Sequence, residues 1–102
     1  MEIKISQQAS ESVMTLSGRF DYNALREFSR SLDSMLDSTT GGIVIDFTDV
    51  SHLDSSALGI LLQAREKLQT QGSPALVLAN PSPTVRRVFE IANFQKKFTL
   101  RG

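Results

Sequence analysis

The chain contains no cysteine, which excludes disulfides and thiolate metal sites. It carries no net charge, because eleven Lys and Arg balance eleven Asp and Glu. That balance predicts neither a nucleic-acid-binding field nor a polybasic membrane patch. No segment approaches the length needed to span a bilayer, and Met1-Glu2-Ile3-Lys4 lacks the long apolar run of a signal peptide. These absences fit a cytoplasmic protein with no direct membrane contact. There is one histidine, His52, and no Gly-x-Ser-x-Gly. Gly41-Gly42 precedes an apolar strand instead of opening a helix, so the chain has no Walker loop or dinucleotide fingerprint. What remains is ordinary globular usage, 40% apolar and 22% charged over 102 residues. That length predicts one domain, residues 1–102, with a modest core.

Ile3 and Ile5 alternate with polar residues and predict a first strand; Gln7 to Ser10 reads as a polar turn. Val13 to Ser17 predicts a second strand with both faces partly covered, interrupted by Gly18-Arg19-Phe20-Asp21. Asp21 is a candidate N-cap, since its carboxylate can accept from N–H groups two or three residues on. Leu25, Phe28, Leu32, Met35 and Leu36 form a helical stripe that Gly41-Gly42 ends. Ile43 to Phe47 predicts a buried strand. A second helix follows, with Leu58, Leu61, Leu62, Arg65 and Leu68 on one face and Ala57, Ile60 and Ala64 beside it, stopped at Gly72. Ala75 to Ala79 is a short apolar run, typical of a strand covered on both faces. Ser82-Pro83 starts a third helix, striped by Val85, Val88, Phe89 and Ala92. Asn93 suits a left-handed C-terminal conformation, and Phe98-Thr99-Leu100 predicts an edge strand. The order β-β-α-β-α-β-α-β implies a small α/β domain with a mixed sheet, an N-terminal hairpin, three main helices and parallel crossovers.

Three groups of residues are candidates for chemistry. His52, Ser55 and an aspartate form a triad on paper only, because triad geometry is set in three dimensions; the plain reading of His52 is a solvated or packed loop residue. Asp46, Asp49 and Asp54, joined by Asp21, are expected around the loop after the third strand, where carboxylates can hold a divalent cation. The plainer reading makes Asp54 a helix cap and Asp49 a turn residue, so neither metal nor cofactor is expected. Arg86, Arg87, Lys96 and Lys97 read as a solvated face, without the aromatic interleaving of a nucleic-acid site. The third group is Ser55-Ser56, two hydroxyls where a strand hands over to a helix N-terminus. Such a place is exposed and favours negative charge. Paired serines there are commonly caps, and they also suit phosphorylation.

Ile43-Val44-Ile45-Asp46-Phe47 followed by Val50-Ser51-His52-Leu53-Asp54-Ser55-Ser56-Ala57-Leu58-Gly59 resembles the central signature of STAS domains, the anti-sigma-factor antagonists and their relatives. Gly18-Arg19-Phe20-Asp21 resembles that family's element before the first helix. Ala79 to Glu90 resembles the start of its third helix. The likeness covers nearly the whole chain, and the Asp-Ser-Ser turn is its specific part. It implies a bacterial signalling protein without catalysis of its own, acting in transcription regulation by partner switching. Ser55 would be the phosphoacceptor, with Ser56 as runner-up. A serine kinase, often the anti-sigma factor itself, would phosphorylate it and a serine phosphatase would restore it. The unphosphorylated form would sequester the anti-sigma factor, through a surface including Asp21, Asp54, Ser55, Ser56, Ala57 and Gly59. Related switches control other effectors such as cyclases and regulatory kinases. Ala57 departs from the glycine many members carry, which implies a stiffer turn. The alternative is a constitutive STAS subunit of a transport or regulatory assembly without phosphoswitching.

Overall fold

A chain that alternates strand and helix after one hairpin can keep adding parallel strands on the same side, and this one does. The computed structural model describes residues 1–38, 41–72 and 76–102. The hairpin is β1 (Glu2–Gln8) and β2 (Glu11–Phe20), followed by α1 (Leu25–Ser38), β3 (Gly42–Leu53), α2 (Ser55–Thr70), β4 (Leu76–Ala79), α3 (Pro83–Ile91) and β5 (Thr99–Arg101). Short 3-10 turns, Tyr22–Ala24 and Phe94–Lys96, precede α1 and β5. The sheet order is β1-β2-β3-β4-β5, antiparallel between β1 and β2 and parallel beyond. This is the expected element order and mixed sheet. Ala75, expected to open the fourth strand, lies outside the described residues.

Because the strand order never reverses, crossovers of one hand put all three helices on one face. Side chains of α1, α2 and α3 share a single core with Met14, Leu16, Ile43, Ile45, Phe47 and Leu78. The other face carries no helix among the described residues and groups only Val13, Val44, Val77 and Ala79. The expectation that β4 is covered on both faces holds, since its four residues are all buried; helices cover one face, and neighbouring strands and side chains shelter the other. Arg101 contributes there, reaching from β5 to Glu11 on β2 with two hydrogen bonds of 3.1 and 2.9 Å. These bonds hold the Glu11 carboxyl below its ordinary value. A lowered carboxylate pKa stabilises the fold at neutral pH, and that support is lost as pH falls through the lowered value.

Strand limits differ from the sequence reading in an instructive way. The polar turn narrows to Ala9-Ser10, with Ala9 at φ 53°. β2 does not stop at Ser17 but runs to Phe20, passing Gly18 at φ 96°, a conformation glycine tolerates and other residues resist. β3 continues past Phe47 to Leu53. It has twelve residues against ten on β2, and register shifts between Thr15 and Ser17 and between Gly18 and Arg19 absorb the excess. Each shift inserts one residue into β3. Phe47, Val50 and Leu53 are spaced by three in sequence, yet all are buried in the same core. The bulges convert that spacing into the strand's period of two, which is why alternation on paper ends at Phe47.

In α2 the buried positions are Ala57, Ile60, Leu61, Ala64 and Leu68. The inward face is thus rotated from the one expected: Leu58 and Leu62 are half-buried at its margin. Arg65 lies off the apolar stripe, its Nε donating to the Lys97 carbonyl at 2.7 Å. All six phenylalanines form one run of ring contacts. It passes from Phe28 to Phe20 (5.5 Å), to Phe47 (6.3 Å), to Phe89 (5.2 Å, edge to face), to Phe94 (5.6 Å) and to Phe98 (4.8 Å). Phe47 is fully buried at the middle of this run. Phe47→Ala should lower the unfolding free energy by about 3–5 kcal/mol, measured by chemical denaturation. A loss under about 1 kcal/mol would show that the ring run does not carry the core.

Candidate functional site

The site sits where β2 and β3 end side by side. Phe20 pairs with Leu53 in the last register of the two strands. One step further, the Asp54 N–H donates to the Phe20 carbonyl at 3.4 Å. Asp21 and Asp54 therefore begin two neighbouring loops at the same end of the sheet, the end where ligands and partners of parallel α/β sheets are met. Both are extended, and both cap. Asp54 Oδ1 accepts from the Ala57 N–H at 3.1 Å, and the Asp54 carbonyl accepts the first helical bond, from Leu58, at 3.3 Å. Asp21 Oδ1 accepts from the Asn23 N–H at 3.0 Å, capping the 3-10 turn that leads into α1. The expected caps at Asp21, Asp54 and Ser82, the last on the Val85 N–H at 3.2 Å, are all present. So is the left-handed Asn93, at φ 61°.

With Asp54 as N-cap, Ser55 and Ser56 are the first two residues of α2. Helix geometry gives their N–H groups no intrahelical acceptor, so both point out from the positive end of the helix dipole. The two serines differ in access: Ser55 is exposed and Ser56 half-buried. Ala57 faces inward, and its methyl is fully buried in the core. Gly59 lies one turn beyond Ser55 on the same side of α2, and a Cβ there would meet nothing within 4 Å. Among the described residues nothing therefore requires glycine at this position, which costs a helix interior about 1 kcal/mol relative to alanine.

Beside this turn stands a residue that the sequence patterns passed over. Tyr22 is 67% exposed on the capped 3-10 turn, and with Asn23, Leu25 and Arg26 it lines a shallow groove of about 380 Å³. An aromatic ring left open to solvent is a common anchor at protein interfaces. It could have been flagged as the chain's single tyrosine, directly after a cap, on no apolar stripe.

The acidic cluster is not gathered as expected. Asp46 lies within β3, where it accepts from the Thr48 hydroxyl (2.6 Å), the Thr48 N–H (3.0 Å) and the Asn80 amide (3.4 Å). Partial burial pushes its carboxyl up, but those donors outweigh it and the net shift is downward. Asp49 also lies in β3, opposite Ser17, and is exposed. Only Asp21 and Asp54 flank the turn. His52 is exposed on β3 opposite Arg19. Among the described residues no hydrogen bond joins it to Ser55, and no group of three metal-ligating side chains converges. Of the basic residues, Arg86 donates to the Gly102 carbonyl and so ties down the end of β5.

The STAS domain family model matches residues 1–102. The chain belongs to the STAS family. It is 35% identical over 95 residues to a STAS-domain containing protein of Pseudomonas aeruginosa (strain UCBPP-PA14), covering 93% of this chain and 92% of that one. Its fold is similar to that of an anti-sigma factor antagonist from Mycobacterium paratuberculosis, with TM-score 0.83, 25% identity, and 98% and 84% of the two chains covered. It is also similar to the Bacillus cell fate determinant SpoIIAA in its phosphorylated form, with TM-score 0.71, 24% identity, and 97% and 90% covered. The five-stranded mixed sheet with three helices is thus the fold of SpoIIAA-like STAS proteins.

The cap that frames the serine turn is testable alone. Asp54→Ala should cost about 1 kcal/mol of stability and Asp54→Asn clearly less, because asparagine caps as well as aspartate. Equal losses in thermal or chemical unfolding would mean that the carboxylate acts other than as a cap.

Proposed function

We propose that this chain is the phosphorylatable antagonist of a partner-switching circuit, with Ser55 as the phosphoacceptor. The observation that carries the proposal is an exposed serine at the first position of α2, directly after its aspartate cap, in a chain of the STAS family. Ser56 is the lesser candidate because it is less exposed than Ser55. In its unphosphorylated form the protein binds a regulator, an anti-sigma factor or serine kinase, through Asp21, Asp54, Ser55, Ser56 and Gly59, extended by Tyr22; Ala57, expected on this surface, is instead buried in the core and can only support the turn from beneath. A serine phosphatase resets it. The chain performs no catalysis. No helix among the described residues is long and apolar enough to cross a membrane, and the circuit we propose operates in the cytoplasm.

Phosphorylation would add a charge of roughly −1.5 to −2. In the free domain the helix start tolerates it, with a gain of ~0.3–1 kcal/mol from the dipole. Against a docked partner the same phosphate must be desolvated beside the carboxylates of Asp21 and Asp54, and one like-charge pair at ~5 Å costs ~3 kcal/mol at an effective dielectric near 20. A total near 4 kcal/mol lowers affinity about a thousandfold. The switch therefore works by exclusion at the interface while the fold stays as it is. Phosphopeptide mapping should place the modification on Ser55. Thermal unfolding of the two forms should nearly coincide, and partner affinity should differ about a thousandfold. Ser55→Asp should lose only part of that affinity. Unfolding on phosphorylation would sink the exclusion mechanism. Equal affinity of both forms would leave the constitutive-subunit reading in its place.

Gly59 extends the same reasoning. Its open surroundings next to Ser55 are surface that a close-fitting partner would occupy. Gly59→Ala should raise the stability of the free protein by about 1 kcal/mol and weaken partner binding. A variant that gained stability and bound the partner unchanged would remove Gly59 from the interface.

A further inference from the structure

β1 is an edge strand, with β2 as its one neighbour in the sheet. It pairs with β2 without a register shift, holds no proline, and is exposed at every residue but Ile3. A regular strand with one neighbour leaves alternate N–H and C=O groups unpaired along its free edge, a template for a further strand. Its side chains divide cleanly by face. Ile3 and Ile5 lie opposite Leu16 and Met14, which belong to the helix-side core, so both isoleucines are on the helix side. Ile5 nonetheless remains 48% exposed. Glu2 and Lys4 occupy the open side, 3.8 Å apart.

We propose that β1 is a self-association surface: it pairs antiparallel with β1 of a second copy of this chain, about a two-fold axis at Ile3, joining two five-stranded sheets into one. Charge selects the register. With Ile3 opposite its own counterpart, Glu2 meets the counterpart of Lys4 on the open side, and Lys4 meets that of Glu2. On the helix side, Met1 meets the counterpart of Ile5, covering its exposed side chain. Moving the axis to Lys4 sets two lysines directly opposite each other, which is destabilising. Moving it to Ile5 puts Ile3 opposite Gln7 and loses both ion pairs. A slip that pairs residues of opposite parity sets apolar side chains against charged ones. The register centred on Ile3 satisfies both faces. The paired strands run in opposite directions, so the two Ser55 turns point to opposite ends of the joined sheet and neither is covered. The dimer is thus independent of the phosphoswitch reading and leaves room for it.

The experiment is sedimentation velocity on the untagged chain up to hundreds of micromolar, which should show a concentration-dependent monomer–dimer equilibrium. Glu2→Lys and Lys4→Glu each place like charges opposite one another twice. Each should raise the dimer dissociation constant about tenfold or more. Thermal stability should not change, since the Glu2 and Lys4 side chains are 67% and 76% exposed. An equimolar mixture of the two variants should recover wild-type association, because each variant's charge pair then faces its opposite, and so should the double variant. A chain that stays monomeric throughout overturns the proposal. So does a dimer that neither substitution weakens, or a mixture that associates no better than its components.

Discussion

Phe47 is the constraint around which the rest is arranged. It lies on the central strand of five, and its ring contacts Phe20 of β2 on one side and Phe89 of α3 on the other. Through Phe20 it reaches α1, and through Phe89 it reaches the turn before β5. Aromatic rings bring large apolar area and a preferred geometry to each such contact. The run therefore fixes where α1 and α3 sit on the sheet, and with them the end of β2 that carries Asp21. α2 is positioned differently, by small and aliphatic side chains such as Ala57, Ile60, Leu61 and Ala64. The helix that carries the serine turn is thus held close to the sheet without an aromatic of its own.

The bulges of β3 connect that core to the site. In a regular strand Val50 would face away from the core, and Asp49 and Ser51 would face into it. Two inserted residues keep Phe47, Val50 and Leu53 all inward and end the strand level with Phe20. The Asp54 N–H then finds the Phe20 carbonyl, and the Asp54 carboxylate is free to cap α2. Bulges next to sites commonly re-aim a side chain. Here they aim the first turn of a helix, and the exposed Ser55 follows from a cap whose position was set several residues earlier.

Stability and use are in tension along this turn. Ala57 is a good helix former and buries its methyl, which stiffens the start of α2. Gly59, two residues on, loosens the same helix with no crowding among the described residues to require it. A free domain selected for stability alone would carry alanine at both. The difference follows the direction each position faces: inward at Ala57, toward the open side beside Ser55 at Gly59. Tyr22, exposed on the adjoining loop, departs from economy in the same direction.

The sequence by itself determined the element order, the mixed sheet and the three caps, because these rest on local rules: apolar period, proline at a helix start, and a carboxylate or hydroxyl within reach of free N–H groups two or three residues on. It also determined that Asp54-Ser55-Ser56 opens a helix, and the family resemblance was legible in that turn. Only the tertiary structure decided the rest, each time through a non-local partner. β3 outran its pattern because a bulge shows its effect only against β2. Asp46 left the acidic group because, between inward Ile45 and Phe47, it lies on the face without helices, where Asn80 from beyond β4 donates to it. The inward face of α2 was rotated because packing against the sheet, and not the count of leucines, chooses which stripe is buried. Ser55 and Ser56 are equivalent in sequence chemistry. Their difference in exposure arises because a helix turns about 100° per residue, and the direction of the first turn is fixed by the strand that delivers it.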